Sequence, residues 1–307
     1  MLVLKGHTAR QTVHSLAFAP DGASLVSCSL DGTVRLWNLQ AGTSQLIGHL
    51  FGYASRCIAF APNGRTVAWC DRPNVQQGDL RWQIVTYELD GNVGAVFPTA
   101  EDDYHDDFKV CYSPDGRLLA AAGPNVYLWD ATTREQLTRW GDETVSGCLT
   151  FSPDGQTLAV GHSHRSARTG RLRHEAVVYD PETRNVHGLW PSTRRIKNLA
   201  FAANGRTLAA ACGNYLTVWE TPAEKPVFEC KGGSRHFQGI AFTPDGQFLA
   251  ATHNDKTVRM WSTRDWTERA AFDWGIGEVV CIAFAPDGMR AAAGGRSGCI
   301  VVWDVDL

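Results

Sequence analysis

No run of apolar residues in this 307-residue chain approaches the ~18 that a membrane-crossing helix requires, so a helical membrane anchor is excluded. The nine cysteines are an odd number with no CxxC pair and no cluster, which excludes a disulfide framework and a structural zinc site. Also absent are a Gly-rich phosphate loop, an HExxH helix, a nucleophile elbow and paired zinc ligands. Without them no catalytic residue, metal or cofactor is expected, and the chain is read as a non-enzyme. The net charge of -3 gives no bulk attraction to nucleic acid or an anionic membrane, so any such contact has to be local. Nine free thiols suit a reducing compartment, and Met1 stands too close to the first predicted strand for a signal peptide, so a cytoplasmic location is expected.

What the chain does contain is a repeat. An aromatic residue, two spacers and an Asp-Gly or Asn-Gly pair recur at Phe18, Phe60, Tyr112, Phe151, Phe201, Phe242 and Phe284. Successive anchors are 39 to 52 residues apart, and each repeat closes on a second aromatic: Trp37, Tyr87, Trp129, Tyr179, Trp219, Trp261 and Trp303. A period near 40 to 45 residues marks a propeller blade. Seven copies use the whole length, so residues 1–307 are read as one domain, expected to be a monomer.

Within each repeat the apolar pattern has a period of two, which predicts strands. Leu16 stands two residues before its anchor, Leu25 seven after it and Val34 three before the closing aromatic, and the other six repeats carry apolar residues in the same three slots. A weaker fourth strand follows, as at Gln45 to Ile47 or Val227 to Glu229. A lone four-stranded antiparallel sheet cannot cover its own faces, so the copies must pack on one another. The last repeat stops after Trp303 and Asp304 without a fourth strand, while Leu2 to His7 matches Leu46 to His49. The N-terminal strand is therefore expected to complete the last blade and close the ring. Cys57, Cys148 and Cys281, each three residues before an anchor, are read as small core residues, as are Cys28 and Cys70 ten after theirs.

The sequence thus resembles a WD40-repeat seven-bladed β-propeller over essentially its full length, an all-β fold of four-stranded antiparallel blades. The family pattern of Gly-His, Asp-Gly and Trp-Asp is nearly complete in repeat one, at Gly6 and His7, Asp31 and Gly32, Trp37 and Asn38. The resemblance implies a buried hydrogen-bonded network there of His7, Ser27 or Ser29, Asp31 and Trp37. Elsewhere the pattern thins: repeat six has Lys231 where the His would be, repeats three and five have Gly123 and Gly213 for the turn Asp, and repeat seven has Ser297. Those blades are expected to rely on apolar packing.

Two repeats are long, with insertions between the second and third strands around Asp71 to Trp82 and His162 to Glu175, both read as protruding hairpins. The second carries Arg165, Arg168, Arg171 and Arg173, and Arg194, Arg195 and Lys197 lead into the following blade. Such a cluster is either a solvated hairpin or an anion-recognition patch, since the Arg fork binds carboxylate or phosphate through two hydrogen bonds. The acidic run Glu101 to Asp107 leads into blade three; a calcium site on Asp102, Asp103, Asp106 and Asp107 lacks the Gly-turned loop of an EF-hand.

Six residues before the anchors lie Thr12, Ala54, Asp106, Val145, Arg195, His236 and Glu278. In the family layout these surround one mouth of the central channel, and their mixed charge suits a peptide or protein partner. Phe51, Tyr53, Tyr104 and Phe237 are the aromatic anchors expected beside them. The function expected is a non-catalytic scaffold for a protein or peptide partner. The alternatives are an enzyme or metal-binding propeller using His236, Asp106 and Glu278, and nucleic-acid binding through the basic hairpin 162–175, which the overall acidic balance opposes.

Overall fold

The computed structural model describes residues 1–50, 57–71, 82–91, 93–99, 108–141, 147–165, 170–221, 223 and 225–305. Phe51, Tyr53, Ala54, Tyr104, Asp106, Val145, Arg168 and the tip of the first insertion lie outside the described residues. The strands, numbered β1 to β28 in chain order, form seven four-stranded antiparallel sheets. Six follow chain order, and the seventh runs β1 (Leu2–Lys5), β28 (Cys299–Asp304), β27 (Arg290–Gly295) and β26 (Val279–Phe284). The first strands of the blades are β2 (Val13–Phe18), β6 (Ile58–Phe60), β10 (Lys109–Tyr112), β14 (Leu149–Phe151), β18 (Asn198–Phe201), β22 (Phe237–Phe242) and β26. Each lies against the first strands of the two neighbouring blades, with β26 meeting both β22 and β2, so the ring is continuous.

The register explains why the same three slots recur. In blade one Phe18 pairs with Leu25 and Leu25 with Trp37; in blade five Phe201 pairs with Leu208 and Leu208 with Trp219. The anchor, the second-strand residue and the closing aromatic thus form one row across three strands, and the second-strand member is fully buried in every blade. Because side chains alternate faces along a strand, one shared row determines which face of each blade is apolar.

Register is pinned by the turn after each anchor. Gly22 holds φ 66° and its amide donates to Ala19 O at 2.9 Å, while Asp21 Oδ1 accepts the Ala23 amide at 2.9 Å. A β-carbon is strained at this φ, which is why the pair is Asp-Gly or Asn-Gly. The carboxylate or amide oxygens of Asn63, Asp115, Asp154, Asn204, Asp245 and Asp287 accept in the same way.

Ring closure follows the sequence expectation. Leu2 pairs with Val302 and Leu4 with Ile300, and Leu4, 1% exposed, joins Val13, Leu25, Trp37 and Ile300 in a cluster shared by the first and last blades. Cys28, Cys57, Cys70, Cys148 and Cys281 are all buried. The Cys148 thiol donates to Ile196 O at 3.7 Å and the Cys281 thiol to Val13 O at 3.3 Å, in each case the carbonyl of the next blade. Burial pushes both thiols up to about 12, leaving little nucleophilic thiolate at neutral pH.

Blade one contains the full polar network, and its hydrogen bonds run in one direction. Trp37 Nε1 donates to Ser27 Oγ at 2.7 Å, Ser27 Oγ lies 2.7 Å from His7 Nε2, and His7 Nδ1 lies 3.1 Å from Asp31 Oδ2. Asp31 also accepts the Thr8 amide at 2.8 Å and the Thr33 hydroxyl at 2.6 Å. Burial lowers the His7 pKa even though Asp31 pulls it upward. The ring is therefore neutral, with Nδ1–H donating to Asp31 and Nε2 accepting from Ser27. For Asp31, burial acts to raise the pKa, but the hydrogen bonds from Thr33 and the Thr8 amide and the proximity of His7 outweigh it and hold the carboxylate ionised.

Blade six keeps only the acidic end of this chemistry, without the relay from hydroxyl to indole among the described residues. With Lys231 in the lead-in loop, the imidazole comes instead from His253 at the end of β23 (Phe248–His253), with Nδ1 3.0 Å from Asp255 Oδ2. Asp255 also accepts the Thr257 hydroxyl at 2.5 Å and Arg259 Nη2 at 2.9 Å. Burial acts to raise the Asp255 pKa, and these partners outweigh it and hold it well below the carboxylate range. Gly232 makes room: a β-carbon there would lie 2.5 Å from His253 Nε2. Blade three follows the apolar expectation. Tyr127 stacks on Trp129 with ring centroids 5.3 Å apart, Phe97 meets Trp129 edge-on at 5.8 Å, and the Trp129 Nε1 is buried with no hydrogen bond among the described residues.

Candidate binding site at the channel mouth

In an antiparallel meander the lead-in loops and the turns between second and third strands share one end of the ring, and the Asp-Gly turns occupy the other. At the first end a cavity of about 570 Å³ lies on the ring axis and takes residues from all seven blades. Its deeper ring is apolar: Leu16, Ile58, Val110, Leu149, Ile240 and Ile282, each two residues before its anchor. The upper ring is polar: His14, Lys109, Arg195, Lys197, Gln238 and Arg296. The reversal has a simple cause. The apolar slot packs between blades, while residues nearer the strand start rise beyond the packed layer into water.

Arg195 and Thr12 line this cup, as their register position six before the anchor predicts. The Arg195 guanidinium passes over Gly147 of the preceding blade, where a β-carbon would lie 2.8 Å from Nη2. Glu278 stands at the rim. It accepts Gln238 Nε2 at 3.1 Å and Arg296 Nε at 2.7 Å, so this carboxylate is engaged with two polar residues of the cup wall. His236 is exposed on the lead-in loop of blade six, its amide donating to Asn254 Oδ1 at 3.0 Å, and it is not part of the cup lining.

Phe237 departs from the sequence reading. Expected as an exposed aromatic anchor, it is 1% exposed and packs against His253 and Trp261 with centroids 4.8 and 6.1 Å away. It fills space between the rebuilt polar pair and the closing tryptophan, so it offers no surface to a partner.

The second insertion is a paired hairpin. The strands β15 (Leu158–Arg165) and β16 (Leu172–Tyr179) stay in register out to Arg165 and Leu172, and β17 (Val186–Ser192) supports β16 as far as His174. Arg171 and Arg173 are exposed on it. Burial first, then Arg195 and His164, lower the His174 pKa, so the hairpin base and the cup wall share one electrostatic neighbourhood. Arg194 is exposed and lies over Gly213, where a β-carbon would meet its Cδ at 3.1 Å. Among the described residues no group of three His, Cys, Asp or Glu side chains comes close enough to hold a metal.

Sequence reasoning missed Lys109, Gln238 and Arg296. His14, Lys197 and Gln238 all stand four residues before their anchors, a slot that register counting could have tested. Arg296 has no such signal, because it enters from the second turn of blade seven.

The WD domain, G-beta repeat family model matches residues 1–38, 224–262 and 275–304. Those three stretches are WD40 repeats, and they sit in a closed ring of seven four-stranded blades, a seven-bladed propeller. The matched stretches cover the first three strands of blades one and six and the whole of blade seven. A guanine nucleotide-binding protein subunit beta of Oryza sativa subsp. japonica is 25% identical over 272 residues, 81% of this chain and 69% of that protein. Protein groucho of Drosophila melanogaster is 24% identical over 259 residues, 81% of this chain and 32% of that one. An uncharacterized WD repeat-containing protein of Synechocystis is 25% identical over 192 residues, 60% of this chain and 52% of its length.

Proposed function

We propose that this WD40 propeller is a non-catalytic scaffold that seats a protein or peptide partner over the channel mouth. The observation that carries the reading is convergence: Arg195 and Lys197 of blade five and Arg296 and Glu278 of blade seven meet at one concave opening, beside a hairpin that presents Arg171 and Arg173. Charged side chains around a concavity orient a partner and speed its encounter more than they add raw affinity. The similarity to a chain named as a subunit of a larger protein supports a role in company with others. A cytoplasmic setting suits thiols that burial keeps protonated.

The test is affinity capture from the source organism's lysate with the wild-type chain beside two variants, Arg171→Ala/Arg173→Ala and Arg195→Ala. Loss of the same partner in both variants supports recognition across the hairpin and mouth. Identical captures with all three proteins would remove this face from the reading.

A further inference from the structure

We infer that the axial cup, beneath the mouth on which the proposed partner sits, is a binding site for a small polyanion, a compound carrying two or more phosphate groups. Charge and shape both support this. Lys109 comes from blade three, Arg195 and Lys197 from blade five and Arg296 from blade seven, so cationic groups line the cup on three sides. The lining contains no carboxylate among the described residues, and Glu278 meets this ring from the rim, on Arg296 and Gln238. His14, Asn198 and Gln238 add neutral polar groups between the cations.

The ligand class follows from the geometry. A lone phosphate reaches one wall, whereas a compound with several anionic groups engages blades three, five and seven together. The apolar ring of Leu16, Ile58, Val110, Leu149, Ile240 and Ile282 forms a floor that an extended chain could not thread without desolvating its backbone. A volume of about 570 Å³ falls within the roughly 300–1,000 Å³ of small-molecule sites. Arg195, Lys197 and Arg296 are exposed at the opening, so a charge-dense ligand reaches their charged donors directly from solvent. A ligand held there touches first strands all around the ring, so it also braces the seam that β1 closes.

Isothermal titration of the full chain with inorganic tripolyphosphate, repeated at low and physiological salt, tests the site. The expected result is one site per chain, weakened by salt, with a melting temperature that rises with tripolyphosphate concentration. Lys197→Gln is expected to weaken binding roughly tenfold, the usual scale for removing one charged hydrogen-bonding partner. Asn198→Asp, which adds a negative charge to the same wall, is a second and independent variant expected to weaken it. Arg173→Gln on the hairpin leaves the affinity unchanged. Melting curves of the unliganded variants establish that each is folded. No saturable binding by the wild-type chain would overturn the inference. So would binding that survives Lys197→Gln and Asn198→Asp but is lost in Arg173→Gln, since the anion would then sit on the hairpin. Arg195 belongs to both readings, but the titration needs no protein partner and the capture needs no added anion, so failure there and failure here are distinguishable.

Discussion

Blade one and blade three solve the same packing problem with opposite chemistry. Both bury a tryptophan in the same row of the sheet, Trp37 paired with Leu25 and Trp129 with Leu119. In blade one the indole N–H starts a chain of hydrogen bonds through Ser27 and His7 to Asp31. In blade three the indole N–H makes no hydrogen bond among the described residues, and the ring is held by Tyr127 and Phe97. Gly123 is what admits the apolar solution, since a β-carbon there would lie 2.6 Å from the ring of Phe108. The lesson is that the propeller needs a filled space behind each closing aromatic, and the buried network is one way to fill it.

Deleting residues 1 to 6 strikes blades seven and one together, because it removes the fourth strand of the one and the segment that delivers His7 to the other. Burial of Leu4 alone accounts for about 2 kcal/mol, and the β1–β28 pairing goes with it. The melting temperature is expected to fall by more than in any single substitution; an unchanged value in the truncated chain would refute closure as a source of stability.

Ser27→Ala is expected to come next. It strands the Trp37 N–H and the His7 Nε2 together in a buried site, at about 1–3 kcal/mol for each unsatisfied group. Urea denaturation checks this, and a loss under 1 kcal/mol would mean that water replaces the hydroxyl.

A paired comparison isolates the polar term. Trp37→Phe and Trp129→Phe remove similar volume, but only the first breaks a hydrogen bond, so it should cost about 1 kcal/mol more. Equal losses would dissolve the distinction between the blades.

The pH dependence separates them further. His7 has a folded pKa below its unfolded value, so the unfolded chain binds the proton more readily. Its neutral form contributes stability that is fully present well above pH 6.5, declines as pH falls through that region, and levels off below the folded pKa. His7→Gln should therefore be less sensitive to pH between 8 and 5 than the wild type, whereas Trp129→Phe keeps the wild-type slope. Parallel stability profiles for His7→Gln and the wild type would contradict a neutral, buried His7. The smallest expected effect on stability is that of Arg173→Gln, within about 0.5 kcal/mol for an exposed position, which makes it a clean probe of recognition.

Much of this was legible in the linear chain. The anchor row, the Asp-Gly turns, the N-terminal seam strand and the blade-one network all follow from residue types at fixed offsets, because neighbours in an antiparallel sheet are set by spacing along the strand. The base of the second hairpin was legible for the same reason. The candidate site was legible only in part. Arg195 and Thr12 came from register counting, but Lys109 and Arg296 belong to different offsets and different elements, and nothing in one repeat indicates that they meet. Phe237 was misread because its aromatic type was weighed without its register: the slot five before the anchor is buried at Val13, Ile196 and Val279 as well, and at Phe237 it packs against His253.

By itself, then, the sequence determined how many blades there are, which face of each is apolar and how the ring closes, since these depend on periodicity and on local turn chemistry. The tertiary structure alone decided which charges share the axial cup and how Arg195 reaches across Gly147 of the preceding blade. Those outcomes depend on distances between residues from different blades and loops, which the closure of the ring sets and no local pattern encodes.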